Sequence, residues 1–271
     1  MSKYLHKQLL DFRHRIQKPL PFVRINQGCA LGWHDIKQKY RRAVLGPFWI
    51  TFSMAILIVT MGLVFNRIYG TKLDEFFPFL AISLILWNFC SSTVTEGCES
   101  YTASESLIKQ LPLPMYLYLI RMLWRNVIIL CHNIIIFPIV FILLNIELNK
   151  NLFLCIPGFI LLFLNLAWVV TILSTICTRY RDLTRIVVSG LQVIVYLTPI
   201  MWMPSFLTGK MHFYLVTLNP IFHIFDVVRA PLLATHPSSL SWIVSLTCAL
   251  LGWIITVPVY KNNHKKIIFW L

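Results

Sequence analysis

The 271 residues are 58% hydrophobic and only 13% charged, which leaves too little polar surface to cover a soluble globule of this length. The net charge of +14 does not point to nucleic acid, because the cations lie beside long apolar runs and form no solvated basic face. These proportions exclude an ordinary soluble enzyme or DNA-binding module and require an integral membrane protein.

Residues 1–45 hold ten Lys or Arg before the first apolar run, so the start does not read as the short charged region of a cleavable signal peptide. Apolar residues such as Leu9, Phe12, Ile16, Val23, Trp33 and Ile36 alternate with those cations. That mixture suits an amphipathic helix lying along the inner membrane interface, broken into two pieces by Pro19 and Pro21. The segment closes on KQKYRR, with Lys37, Lys39, Arg41 and Arg42 set directly against apolar sequence. Such a cluster is held near anionic headgroups by about 1 kcal/mol per cation. It is also suited to gripping the phosphate oxygens of an anionic substrate headgroup at the inner mouth. Both readings stand at this point.

Six apolar runs follow, at about 48–65, 76–94, 127–146, 152–177, 186–203 and 240–259. A bilayer core of about 30 Å needs roughly 20 helical residues, so these runs predict six transmembrane helices in an all-α domain over 46–271. With six spans, nineteen of the 24 Lys and Arg fall on the side of both termini and five on the other. The positive-inside rule then places both termini in the cytoplasm.

Two connections are unusual. Residues 100–118 form the longest polar inner connection, and ESLIKQ followed by Pro112 and Pro114 predicts a short helix projecting from the membrane. A compact helix of that kind is the shape that docks in a groove of a soluble partner. Residues 204–239, on the outer side, are too apolar for a solvated loop, and Pro204, Pro220, Pro231 and Pro237 divide them into pieces too short to span. They predict two re-entrant helices forming a cap or gate, with Asp226 and Arg229 spaced to pair on one face.

Chemistry-bearing groups are scarce. Glu96 and Glu99 lie at the inner end of the second span, and His132 and Asn133 lie within the third, where an interhelical hydrogen-bond pair is the expectation. No acidic pair or DxD is present to bind a metal diphosphate, so no catalytic or metal site is expected. The seven cysteines are scattered without a CxxC pair and read as small apolar fillers. Aromatics supply interfacial belts, and a minority, with Phe48, Trp49, Phe52, Phe89, Tyr196 and Trp202 as candidates, could line a path for sugars. No GxxxxGK[ST] occurs, so any nucleotide chemistry belongs to another chain.

YRRAVLGPFW before the first span, ESLIKQLPLP after the second, RMLWRN opening the third and the late NPIFHIFDVVRAPLL together resemble the membrane subunit of polysaccharide-exporting ABC transporters of the ABC-2 type. The O-antigen exporters are the nearest group. The resemblance implies a homodimer in the bacterial inner membrane, paired with two copies of a cytoplasmic P-loop ATPase that binds the ATP and Mg; this chain itself has no cofactor. It implies a coupling helix with Glu105, Leu107, Lys109, Gln110 and Leu111, and periplasmic gate helices at 206–218 and 221–233 with Phe213, Tyr214, Asp226 and Arg229. The substrate would be a lipid-linked polysaccharide passing between protomers, with Lys37, Lys39, Arg41 and Arg42 at its anionic headgroup. An ion-coupled carrier and a membrane-embedded transferase acting on polyprenyl-linked sugars are the alternatives. The first would need buried carboxylates and the second metal-binding acids.

Overall fold

A computed structural model describes residues 21–41, 48–110, 113–144 and 149–271. Helices dominate it, and no strand occurs among the described residues. In chain order they are α1 (Pro21–Lys39), α2 (Phe48–Tyr69), α3 (Leu73–Glu99), α4 (Glu105–Gln110), α5 (Tyr116–Asn133), α6 (Ile136–Leu143), α7 (Cys155–Arg179), α8 (Leu183–Leu197), α9 (Gly209–His212), α10 (Pro220–Leu232), α11 (Ser239–Asn263) and α12 (Ile267–Trp270). Five stretches are long and apolar enough to cross a bilayer: α2, α3, α5 with α6, the 3-10 turn Lys150–Leu154 with α7, and α11. A sixth is possible by length and composition if the bent pair of α9 with its π turn Phe213–Thr217 and α10 counts as one, the two parts meeting at 79°.

The central element is α3. Its apolar window is 72% buried, against 17% for α2 and 28% for α11. Phe76, Leu80, Ile82, Leu86, Phe89 and Val94 from α3 form one core with Leu162 and Leu166 of α7 and Phe225, Val227 and Val228 of α10. A second cluster caps the end of the bundle that carries α4. There Ile108 of α4 packs with Tyr101, Met115, Tyr118 and Met122, and Ile267 of α12 closes it. The short helix α4 is thereby seated on the bundle while most of its surface stays outside.

Three boundaries differ from the sequence expectation. The second span runs on past 94 to Glu99, and the third begins at Tyr116 and not near 127. Glu96, Arg121 and Arg125 are therefore helical, Arg125 paired with Glu96 across α3 and α5 and Arg121 with Asp35 of α1. The third span is also interrupted at Ile134 and Ile135, between α5 and α6. The fifth apolar run gives only a 15-residue helix, α8, which stops before Thr198 and Pro199. Proline disfavours helical backbone in the residue before it, and Thr198 is extended at φ −96°, ψ 139°. At about 1.5 Å per residue α8 rises roughly 22 Å, short of a full bilayer core.

The two short pieces expected over 204–239 are present. Asn219 starts α10 by accepting hydrogen bonds from the main-chain N–H groups of Ile221 and Phe222, and Pro220 occupies the first helical position, where its missing donor costs nothing. Close packing of α10 on α7 depends on Gly158, since a Cβ there would lie 2.3 Å from the Val227 carbonyl oxygen. A Cβ at Gly190 in α8 would meet nothing within 4 Å. Gly158→Ala is expected to lower stability by about 2 kcal/mol through this clash. Gly190→Ala should leave it unchanged or raise it by up to about 1 kcal/mol. Thermal unfolding of the two detergent-solubilised variants measures both effects, and equal midpoints would contradict the packing.

Candidate functional site: a charged end and a buried cap

At the α4 end, the side chains of three helices meet in one polar network. Arg121 of α5 forks onto Asp35 of α1, Nε donating to Oδ2 and Nη2 to Oδ1, both at 2.6 Å. Arg125, one turn on, donates to Glu96 of α3 at 2.7 Å and reaches Asp35 at 3.5 Å. Asn126 donates to Glu96 at 2.6 Å, while its carbonyl oxygen accepts from Ser92 at 3.1 Å. Burial and the neighbouring Glu96 carboxylate push the Tyr40 phenol up. These charges are each less than one third exposed, so they are screened less than surface pairs. The fork fixes geometry as well as charge.

The network requires α1 to lie hard against α5, and a Gly28-Cys29-Ala30-Leu31-Gly32 spacing permits it. A Cβ on Gly32 would lie 2.6 Å from the Arg121 carbonyl oxygen, and one on Gly28 would lie 2.8 Å from the Ile120 side chain. Two small residues one turn apart let helix backbones approach this closely. Helix α1 therefore belongs to the bundle along this side, with Ile36 buried and Trp33 exposed.

On α4, Lys109 pairs with Glu105 one turn earlier. Its hydrogen bond and charge hold the Glu105 carboxyl below the usual carboxylate range, with a smaller pull from Arg181. A lowered value means that the pair is fully formed above the ordinary carboxyl range and is lost as pH falls through the lowered one. The charge pattern of α4 is thus constant near neutrality. Ser106, Lys109 and Gln110 are exposed, Glu105 and Leu107 half-buried and Ile108 buried.

At the opposite end, Arg229 of α10 is 3% exposed. It donates to the Pro199 carbonyl at 2.7 Å and to Ser83 Oγ of α3 at 3.2 Å, with the Phe79 ring 4.4 Å and the Phe222 ring 5.5 Å from its guanidinium carbon. The expected pairing with Asp226 does not form. Asp226 instead accepts from Ser241 of α11 at 2.7 Å, and Ser241 also lies 3.0 Å from His223 Nδ1. The arginine finds its partners at the carbonyl exposed where α8 stops, so the helix break and the buried cation satisfy each other.

Of the other sequence candidates, Phe48, Trp49 and Phe52 are exposed on the first turns of α2, and Phe48 and Phe52 border an apolar cleft of about 370 Å³ against α6. Tyr196 is exposed at the end of α8, where its carbonyl accepts from the half-buried Trp202 indole at 3.1 Å. Phe89 does not belong with them. It is 5% exposed in the main core because α3 is surrounded by neighbours. Phe213 and Tyr214 are exposed and pack edge to face. Lys37 and Arg41 are exposed. Arg42, Leu111 and the Lys39 side chain lie outside the described residues, as does the interface segment before Pro21.

His132 and Asn133 are not an interhelical pair either. The His132 ring bonds back to its own helix at the Ile128 carbonyl, 2.8 Å, while its main-chain oxygen accepts from Thr51 of α2 at 3.2 Å. No cluster of three or more metal-ligating side chains occurs among the described residues, and the cysteines are free thiols. Reading the sequence missed the Asp35–Arg121–Arg125–Glu96 network. The available signal was two arginines four apart at the head of one helix, facing an acidic helix end.

Apolar helices of spanning length, with charge gathered at one end and a folded apolar cap at the other, define a multi-pass membrane protein. Residues 26–233 match the family model of the ABC-2 type transporter, and the chain belongs to that family. Two relatives from Klebsiella pneumoniae, each named O-antigen export system permease protein RfbA, are similar to it. Each is 23% identical over 211 residues, covering 69% of this chain and 72% of the relative.

Arg121→Lys keeps the charge and removes the fork. Losing one charge-assisted hydrogen bond, about 1.5 kcal/mol, should raise the detached population of α1 roughly tenfold. Labelling of Ile36→Cys by a water-soluble maleimide, with and without Arg121→Lys, reads that opening; equal labelling rates would show that the fork does not hold α1.

Proposed function

We propose that this chain is the transmembrane subunit of an ATP-driven exporter. It moves a lipid-linked polysaccharide, of the O-antigen class, from the cytoplasmic side across the bacterial inner membrane through a channel between two copies of itself. The observation that carries this reading is α4. It is a two-turn helix anchored by buried Ile108 and Ile267 behind it, and it presents Ser106, Lys109 and Gln110 outward. A rigidly seated helix with a polar outer face is a docking element for a soluble partner. The chain has no P-loop of its own, so that partner is a cytoplasmic ATPase, which binds ATP and Mg and is present in two copies.

The Lys and Arg distribution supports placing the α4 end and both termini in the cytoplasm. The interface segment 1–45 with Lys37, Lys39, Arg41 and Arg42 then lies where an anionic lipid headgroup arrives. The cap built from 204–239 lies at the periplasmic exit as a gate, with Phe213 and Tyr214 at its surface and Asp226 and Arg229 holding it to α11 and α3. Phe48, Trp49, Phe52, Tyr196 and Trp202 are the aromatic candidates for a sugar path. The relatives' printed role in O-antigen export supports the choice of substrate class.

Two experiments test the reading. Purification of this chain from native membranes in mild detergent should bring a stoichiometric P-loop ATPase whose hydrolysis responds to lipid-linked polysaccharide; a chain that purifies alone contradicts it. Lys109→Glu should reduce that stimulation roughly tenfold, the size of an interface contact worth about 1.4 kcal/mol. The intrahelical repulsion it adds is only about 0.5 kcal/mol, so thermal unfolding should stay nearly constant. Unchanged stimulation would remove α4 as the docking element.

A further inference from the structure

A polar cavity of about 130 Å³ opens directly beside α4. Its walls are Glu96 and Glu99 of α3, Ser100, and Tyr118, Arg121 and Arg125 of α5, with Ala103 and Ser104 leading into α4. The two arginines are already committed, Arg121 to Asp35 and Arg125 to Glu96. Glu99 is different: its side chain is exposed, and its carboxylate has no hydrogen-bond or ion-pair partner among the described residues. Because Asp35, outside the cavity, holds Arg121 and Glu96 holds Arg125, Glu99 is left without a counter-ion among the described residues.

The walls hold a second, independent sign of a missing partner. The Tyr118 hydroxyl, in a residue 1% exposed, and the Ser100 hydroxyl, in a residue 5% exposed, are buried without any hydrogen-bond partner among the described residues. Buried hydroxyls are almost always satisfied, so a polar occupant is called for. Water would satisfy the hydroxyls and solvate the exposed Glu99 carboxylate, but it would supply no counter-charge. A bare metal ion would need a set of ligating side chains that the described residues do not provide. The volume accommodates several waters and hence the head of one long side chain.

We infer that this cavity receives the ammonium or guanidinium head of a Lys or Arg from the ATPase subunit. Glu99 is its counter-charge, and the Tyr118 and Ser100 oxygens accept its N–H donors. The inference rests on the reading of α4 as the docking helix, because Ala103 and Ser104 place the cavity where a partner seated on α4 must pass. The inserted cation would also abut the Arg125–Glu96 pair, and so report docking to the network that holds α1.

The test uses the complex purified from native membranes, comparing the unaltered chain with Glu99→Gln, Glu99→Lys and a remote control, Glu75→Lys, at the exposed far end of α3. The expected result is that Glu99→Lys lowers retention of the ATPase roughly tenfold or more, Glu99→Gln lowers it less, and Glu75→Lys does not. The loss for Glu99→Gln should shrink in high salt. One Lys→Glu or Arg→Glu substitution on the ATPase should restore binding to the Glu99→Lys chain, which a merely structural role for Glu99 would not allow. Retention of the ATPase by all variants alike would overturn the inference and leave docking through α4 intact. Absence of an ATPase from the unaltered preparation would remove the docking reading and this inference together. Glu99→Gln is isosteric and exposed, so the comparison holds even where the charge-reversed chain fails to fold.

Discussion

No main-chain polar group and no charge can face hydrocarbon without a partner, and the arrangement of this chain follows from that constraint. Helices satisfy their own backbones. Where the chain leaves helical geometry at membrane-like depth, other groups take over. The Pro199 carbonyl, freed where α8 stops, is met by Arg229, and the start of α10 is met by the Asn219 side chain. In the irregular stretch after α8, Ile200 is fully buried in the main core, with Met201, Met203 and Phe206 packed against it. The buried Arg229 of α10 needs no carboxylate, since carbonyl, hydroxyl and aromatic faces surround it.

The same constraint explains the charged end. Arg121 and Arg125 lie within α5 only because Asp35 and Glu96 come from two other helices to meet them. A pair of this kind contributes little net stability once desolvation is counted, but breaking it leaves a half-buried charge alone. Its effect is therefore on position: it fixes how far α1 slides along α5, in a contact whose closeness the two glycines already permit. Apolar exposure carries no such information. The uncovered faces of α2, α8 and α11 are what lipid tails, a second copy or a path between copies would all accept.

Much of this was legible in the residues. The prolines after ESLIKQ marked where α4 had to end, and Pro220 marked the break before α10. Long apolar runs gave the spans because backbone satisfaction in a bilayer admits few alternatives. What failed were the judgements that depend on a partner in space. Arg121 and Arg125 looked like loop residues because charge ends a span unless it is neutralised, and the Asp35 that meets Arg121 is 86 residues away in sequence. Asp226 and Arg229 looked like a pair because spacing on a helix is visible, whereas the carbonyl of Pro199 is not. Phe89 looked like any other aromatic because a sequence does not tell which helix is central.

The centrality of α3 has a mechanical consequence. Ser83 accepts from the buried arginine of the cap, and thirteen residues on, Glu96 accepts from Arg125 at the other end. Thirteen residues rise about 20 Å along a helix, with close-packed neighbours for most of that length. Interiors of this density transmit a displacement and do not absorb it. Helix α4 follows α3 after a five-residue turn whose Tyr101 is fully buried, so a force on α4 acts on α3 through the chain as well as on α5 through the Ile108 contacts. The two polar assemblies are thus joined by one stiff rod, and a shift of α3 by a fraction of a turn would strain the Arg229 and Arg125 contacts at the same time. Coupling between the ends needs no relay of side chains through the apolar core; it needs only that α3 move as a unit.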